Sequence, residues 1–341
     1  MKLLAGWQHQ GPLLALWPYR NDVWRANAFF VQQRLLQMLA AITPFHPVKL
    51  GIHPPQINTA LRMIPKALEW FPIAYDDAWA RDIAPLIVHD SKAYSAVGAR
   101  FDGWQGVHQS YARDQRFAAS LAARMNSPFS ALPVVFEGGM LSHDGNGTAL
   151  VHAHSLKKRN PTMRLMQLQR LLQERLQLQR IIWIHSPLAA DETGGHVDNQ
   201  IQFIGQDTIV AAASVHDNAW NQELEALQQQ PWAAEYRWLM LPPTTTYKED
   251  PALYHDIRQH AGALTRGQRP VLRSYVNLIS LPNVLVLPQF SQASDLDALR
   301  VLQQGVPTRT VVPVDGREFV RGGGGPHCLT TEIIDRRLAL I

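Results

Sequence analysis

The chain repeats one local order, and that repetition limits the folds open to it. Five amphipathic stretches with helical spacing lie at residues 24–42, 109–124, 162–180, 217–229 and 294–304. Each is followed by a short apolar run of strand type, at residues 47–51, 132–136, 181–185, 236–241 and 308–314. Strand pairs lie between these units: 140–142 with 148–153 across the turn HDGNG, 197–204 with 208–213, and 273–280 with 284–288. Thr162 and Ser294 read as helix N-caps, the latter with Asp297 three residues on, and Gly305 reads as the glycine that stops the last helix. A strand–strand–helix–strand unit recurring about five times can close into a ring, which leaves only peripheral strand edges unpaired. A ring also brings several loops to one axis, where a shared site forms. No Ser/Gly or Pro-rich linker divides the sequence, so residues 1–341 read as a single α/β domain.

Several classes of function are excluded early. With 46% hydrophobic residues and a net charge of +4, the chain is no low-complexity disordered segment. Its apolar runs, such as 284–287, fall far short of the roughly 20 residues of a membrane-spanning helix. The opening MKLLAGWQHQ has too short an apolar run for a secretory signal. The densest basic groups, LKKR (156–159) and DRR (335–337), read as solvated surface, and no aromatic-interleaved basic motif suggests a nucleic-acid partner. Cys328 is the one cysteine, which excludes an internal disulfide and a Cys-rich zinc site and fits a reducing cytoplasmic setting.

Four polar, glycine-rich segments interrupt the pattern: AWARDIAP (78–85), FEGGM (136–140), DETGGHVDN (191–199) and RGGGGPHC (321–328). Cys328 ends a run of four glycines, Gly322 to Gly325, whose backbone can approach a ligand closely or cradle an anion. A cysteine nucleophile needs a depressed pKa or a nearby base, and a buried structural cysteine is the competing reading. His196 and Asp198, if on an extended strand, point to the same side, because strand side chains alternate with period two. A metal site of His196, Asp198 and Glu192 is a minor alternative, since no HExxH accompanies them. Asp82 taken alone reads as an ordinary turn acid. Together, two carboxylates and a thiol match a guanidinium: Asp82 and Asp198 hold the planar cation, and its carbon faces Cys328.

The motifs as a set resemble those of the agmatine deiminases, within the guanidine-modifying enzymes that also include bacterial peptidylarginine deiminases. The resemblance covers nearly the whole chain. The opening segment 5–24 looks like the family's Trp-containing start. WARD (79–82) is similar to W-x-R-D, and FEGGMLSHDGNGTALVHAHSLKKRNP (136–161) to an E-G-G…D-G-x-G-T…N-R-N-P block. ETGGHVDN (192–199), SYVN (274–277) and GGGGPHC (322–328) resemble E-T-D-G-H-x-D-N, S-Y-x-N and G-G-G-N-x-H-C. The resemblance implies a five-bladed α/β propeller (pentein) of ββαβ modules with pseudo-fivefold symmetry. It implies a hydrolase with neither metal nor cofactor, acting on a small guanidino substrate, most directly agmatine on the way to putrescine. By matching motifs Cys328 is the nucleophile, His196 the general acid and base, and Asp82 and Asp198 the guanidinium-binding carboxylates. Glu192, Glu137, Trp79, Gly323 and Gly324 are implied as further substrate contacts. Relatives of this kind often assemble, so a homo-oligomer is also implied.

The sequence departs from the family at Gly194, where Asp is usual, and at Gly325 and Pro326, where Asn and an aliphatic residue are usual. These departures keep other guanidino substrates open, such as peptidyl-arginine or an arginine derivative. An amidinotransferase would share the covalent intermediate but pass it to an amine. A silent binding protein and a cysteine protease or amidase are the remaining readings, and the second needs fewer carboxylates than this chain supplies.

Overall fold

Each of the five long helices carries a stripe that its neighbours bury. In the helix Leu165–Leu176 the buried residues are Leu168, Leu172 and Leu176, one every four positions. A computed structural model describes residues 2–90, 93–259 and 265–334. In it the long helices are α1 (Phe29–Ile42), α2 (Asp114–Arg124), α3 (Leu165–Leu176), α4 (Asn218–Gln228) and α5 (Ser294–Gly305). The basic group 335–337 lies outside the described residues.

Every long helix is a crossover between two parallel strands. Helix α1 joins Leu13–Leu16 to Val48–Ile52, and α2 joins Tyr94–Arg100 to Phe129–Val135. Helix α3, after the shorter helix Ala153–Arg159, joins Thr148–His152 to Arg180–Ile184. Helix α4 joins Thr208–Ala211 to Arg237–Met240, and α5 joins Val284–Gln289 to Thr310–Asp315. The first strand of each crossover also has an antiparallel partner on its other side. These partners are Thr330–Glu332, Leu86–His89, Leu141–His143, Ile201–Gly205 and Ile279–Ser280, in the order of the helices. In the α1 sheet that partner comes from the far end of the described residues, so early and late segments of the described chain are stitched together there. The middle strands Leu13–Leu16, Thr148–His152 and Thr208–Ala211 are buried along their whole length, as expected for strands covered on both faces. A two-stranded ribbon, Thr245–Tyr247 with Val271–Arg273, is the sixth sheet among the described residues. Among them, too, no helix is long and apolar enough to cross a membrane.

The structure corrects the sequence reading in places. Residues 197–204 are not one strand. Val197–Asn199 forms a 3-10 turn and the strand begins at Ile201, so His196 and Asp198 are not aligned by strand alternation. Asp191 causes this, because its carboxylate accepts from the His196 backbone N–H at 2.9 Å. Residues 273–280 likewise split. Val271–Arg273 pairs in the ribbon, only Ile279–Ser280 pairs with Val284–Gln289, and Ser274 instead donates to the Asn199 carbonyl at 2.8 Å. Thr162 is not an N-cap: α3 starts at Leu165, and the Gln167 side chain accepts from the Arg164 N–H. Ser294 lies inside α5, and Asp295 accepts from the N–H groups of Phe290 and Gln292 ahead of the helix. Gly305 does end α5, but for its size: a Cβ there would sit 2.5 Å from a Leu239 methyl. LKKR is only half surface, because Arg159 is buried.

Trp220 of α4 is fully buried and donates its indole N–H to the Ala212 carbonyl at 2.8 Å. Replacing it by Ala should cost about 3–5 kcal/mol. Urea denaturation would show this as a lower midpoint, and an unchanged midpoint would refute the packing assigned to α4.

Candidate active site

Five sheets present the same place to the site: the segment just before the strand that pairs antiparallel to the crossover strand. Asp82 comes from the one-turn helix Ala80–Ile83, ahead of Leu86–His89. Glu137 precedes the turn Gly138–Met140, ahead of Leu141–His143. His196 and Asp198 lie at the turn ahead of Ile201–Gly205. Asn277 precedes Ile279–Ser280, and Cys328 precedes Thr330–Glu332. Local glycines let these segments meet. A Cβ on Gly139 would collide with the His196 ring, and one on Gly325 with the Asn277 amide.

Cys328 is 6% exposed and lines a pocket with about 390 Å³ of open space, together with Asp82, His196, Trp79, Trp104 and Glu192. Its Sγ accepts from Asn277 Nδ2 at 3.1 Å and lies 3.6 Å from Asp198 Oδ2. Burial pushes the thiol well above its ordinary range, and the charges of Asp198 and Asp82 add to the effect. Asp198 is fully buried. Burial works against its charge, but the hydrogen bond from His327 Nδ1 at 2.8 Å wins and holds the carboxyl below its ordinary value. Its other oxygen, Oδ1, is buried with no hydrogen-bond partner among the described residues. Burial and Arg81 in turn keep His327 below its usual pKa.

His196 sits between two acids. Its Nε2 is 3.1 Å from Glu137 Oε2, and its Nδ1 is 3.8 Å from Asp82 Oδ2. Burial disfavours the imidazolium, yet Asp82 and then Glu137 outweigh it and lift the ring to about 10. Asp82 accepts from Trp104 Nε1 and from the Gly139 N–H, each at 2.9 Å. Burial raises its carboxyl to about 6, against the opposing pull of His196. At neutral pH the site therefore holds a charged His196 ring, ionised Asp82 and Asp198, and a protonated Cys328 thiol.

The outer wall differs from its expected form. Trp79 packs on Trp24 with ring centroids 5.1 Å apart, and a Cβ on Gly324 would press on both Trp79 and Cys328. Gly323 has φ +108°, which only glycine adopts easily. Glu192 faces the pocket, but Arg266 Nη1 holds both its oxygens, at 2.7 and 2.8 Å. Glu192 is thus engaged as an ion-pair partner, and no group of three or more His, Cys, Asp or Glu among the described residues is placed to hold a metal ion. Gly194, at φ +83° with open space beside it, closes a turn that Asp191 organises.

The match to known proteins decides the family. Residues 2–333 fit the description of the Porphyromonas-type peptidyl-arginine deiminases. The chain belongs to that family. A protein of Yersinia pestis, provisionally named an agmatine deiminase, is 28% identical over 344 residues, covering 96% of this chain and 94% of its own. The solved agmatine deiminase of Enterococcus faecalis shares the fold at a TM-score of 0.90 and 23% identity, over 98% of this chain and 96% of that one. The agmatine deiminase of C. jejuni, solved with substrate bound, has a TM-score of 0.84 at 21% identity, with the same coverage.

For a member of this family the structure brings together Cys328, His196, Asp82, Asp198 and Glu137. Trp79, Gly323 and Gly324 join them in the pocket wall. Sequence reasoning missed Asn277, Trp104, Asp191, His327, Arg159 and Arg266. Asn277, His327 and Arg159 lie within the family-like motifs and Asp191 within the polar segment 191–199, and Asn277 also had a positional signal, since it fills the slot before a strand that the other site residues fill. Arg266 had none.

The charge of Asp82 is one cause of the high thiol pKa. Asp82→Asn should therefore speed alkylation of Cys328 by iodoacetamide at pH 8 in the free protein. Mass spectrometry of the Cys328 peptide measures this, and slower or equal labelling would refute the electrostatic account.

Proposed function

We propose that this chain is a hydrolase that deiminates a small guanidino compound, with agmatine as substrate and N-carbamoylputrescine and ammonia as products. One observation carries the reading: a buried cysteine thiol lies 3.6 Å from the buried Asp198 carboxylate and lines one pocket with buried Asp82 and the charged His196 ring. The names borne by the relatives point the same way. We further read the five like sheets as blades of a single five-bladed α/β propeller domain, its ends closed by the pairing of Thr330–Glu332 with Leu13–Leu16.

Asp82 and the unpartnered Oδ1 of Asp198 accept the guanidinium N–H groups and fix the carbon beside Cys328 Sγ. The substrate's charge offsets both acids, so the thiol releases its proton to solvent. The thiolate attacks the guanidinium carbon. Protonated His196 donates to the departing nitrogen, the C–N bond breaks and ammonia leaves. The C–S bond remains in a cationic thiouronium. Neutral His196 then takes a proton from water as the oxygen adds to the same carbon. Collapse expels the Cys328 thiolate, the remaining O–H proton passes to solvent, and the ureido product leaves. Asn277 steadies the sulfur through its N–H donor.

A second reading is favoured by Arg266. It already pairs with Glu192, the acid of the pocket wall implied as a further substrate contact. A guanidino compound with a carboxylate or amide tail, such as arginine, an arginine derivative or peptidyl-arginine, suits that wall better than an ammonium does.

Assays with agmatine, free arginine and an arginyl peptide, with Cys328→Ser as blank, test both readings. Turnover of agmatine alone supports the first, and preference for arginine or the peptide supports the second. No ammonia from any of them would overturn hydrolytic deimination of these guanidines. With the active substrate, kcat/KM should climb above pH about 6 as Asp82 and then Cys328 ionise. It should fall near pH about 10 as His196 loses its proton. A profile that falls between pH 6 and 8 would contradict these assignments.

A further inference from the structure

The helix Ala153–Arg159 ends in a residue that the sequence pattern assigns to the surface. Asn160, next in the chain, pins this end to the strand Phe129–Val135: its side chain accepts from the Val135 N–H at 3.0 Å and donates to the Val135 carbonyl at 2.8 Å. That pin turns the Arg159 side chain inward, where only 1% of it remains exposed. The guanidinium then spans two acids. Nε donates to Asp102 Oδ2 at 2.7 Å, Nη1 donates to Glu137 Oε2 at 3.3 Å, and Nη2 contacts both Asp102 Oδ1 and Glu137 Oε1. Glu137 has no exposed side chain, and the same Oε2 meets His196 Nε2. Asp102, Arg159, Glu137 and His196 form one continuous chain of charges running from the half-buried edge to the reacting groups.

We propose that Arg159, braced by Asp102, is a positioning residue. It holds the Glu137 carboxyl group fixed against Nε2 of His196, so that Nδ1 is the nitrogen left to exchange protons with substrate and water. This rests on the deiminase reading for its role in turnover, but not for its effect on the ring. The physical argument is short. A carboxylate with no access to water is stable only when paired. A planar fork that engages two acids at once fixes direction as well as charge, which a lysine does not do. Without Arg159 the buried Glu137 loses the partner that fixes its direction, and His196 loses a firmly held acid among those that favour its charged form. The other titratable groups acting on the ring are Asp82, Asp191, Asp198 and His152, the last packed behind Gly195, and Cys328 lines the same pocket. None of them approaches Nε2 in place of Glu137 in the hydrogen bonds of the described residues.

The test compares wild type with Arg159→Gln, Arg159→Lys and Asp102→Asn. Imidazole ¹⁵N NMR, with the His196 signal assigned by His196→Gln, reads the ring directly and needs no turnover. The His196 titration midpoint should drop by about 1 unit or more in Arg159→Gln, the size expected when a near charge partner is lost. It should drop less in Asp102→Asn and stay near wild type in Arg159→Lys. In turnover, the alkaline fall of kcat/KM should move down in pH by the same step in Arg159→Gln. Arg159→Lys should lose rate, about 10-fold, without moving the profile. If Arg159→Gln does not fold, Asp102→Asn decides, since Asp102 is half-buried and its loss leaves Arg159 paired to Glu137. An unchanged midpoint in the folded variants would overturn the proposal and leave Arg159 a packing residue. A shifted midpoint in a protein that hydrolyses no guanidine would keep it and sink the deiminase reading instead.

Discussion

His196 is a cation kept out of water, and the surrounding structure follows from the need to hold it there. A buried imidazolium is unfavourable by itself, so acids must face it from more than one side. Glu137 does so at Nε2 and Asp82 does so near Nδ1. Each acid then needs its own support. Arg159 and Asp102 answer Glu137, while the Trp104 indole and the Gly139 N–H answer Asp82. Bulk is excluded by the same logic, since any side chain at position 139 would displace the ring.

A second, parallel set of contacts surrounds the sulfur. Asp198 is paired with His327, which is the residue just before Cys328, and Asn277 reaches Cys328 while its own oxygen accepts from the His327 N–H at 3.1 Å. The Arg81 backbone N–H donates to the Cys328 carbonyl at 3.1 Å, and the Arg81 side chain is held by Glu332 at 2.9 and 3.1 Å. The neighbours of Asp82 and of Cys328 therefore brace one another. Burial raises the thiol, and the charges of Asp198 and Asp82 raise it further.

Much of this was legible in the chain. The helix stripes fixed the crossovers to within a few residues, as with Leu168, Leu172 and Leu176 in α3. The glycine-rich segments marked where backbones approach closely, and Cys328, His196, Asp82 and Asp198 stood out as a chemical set. The expected strand at 197–204 failed for a definite reason: the Asp191 carboxylate captures the His196 N–H and replaces strand pairing with a tight turn. Arg159 failed for another. A basic triplet looks solvated in sequence, and only the side-chain grip of Asn160 on Val135 turns its last member inward.

The sequence by itself determined the element order, the presence of a cysteine, a histidine and two aspartates as a chemical set, and the glycines that let them approach. Those are local properties, set by periodicity, side-chain chemistry and backbone freedom. The tertiary structure alone decided which charges are paired. Glu137 with Arg159, Glu192 with Arg266, and Asp198 with His327 join residues 22, 74 and 129 positions apart. Ion pairing depends on distance and on exclusion of water, and neither is set until the sheets have packed.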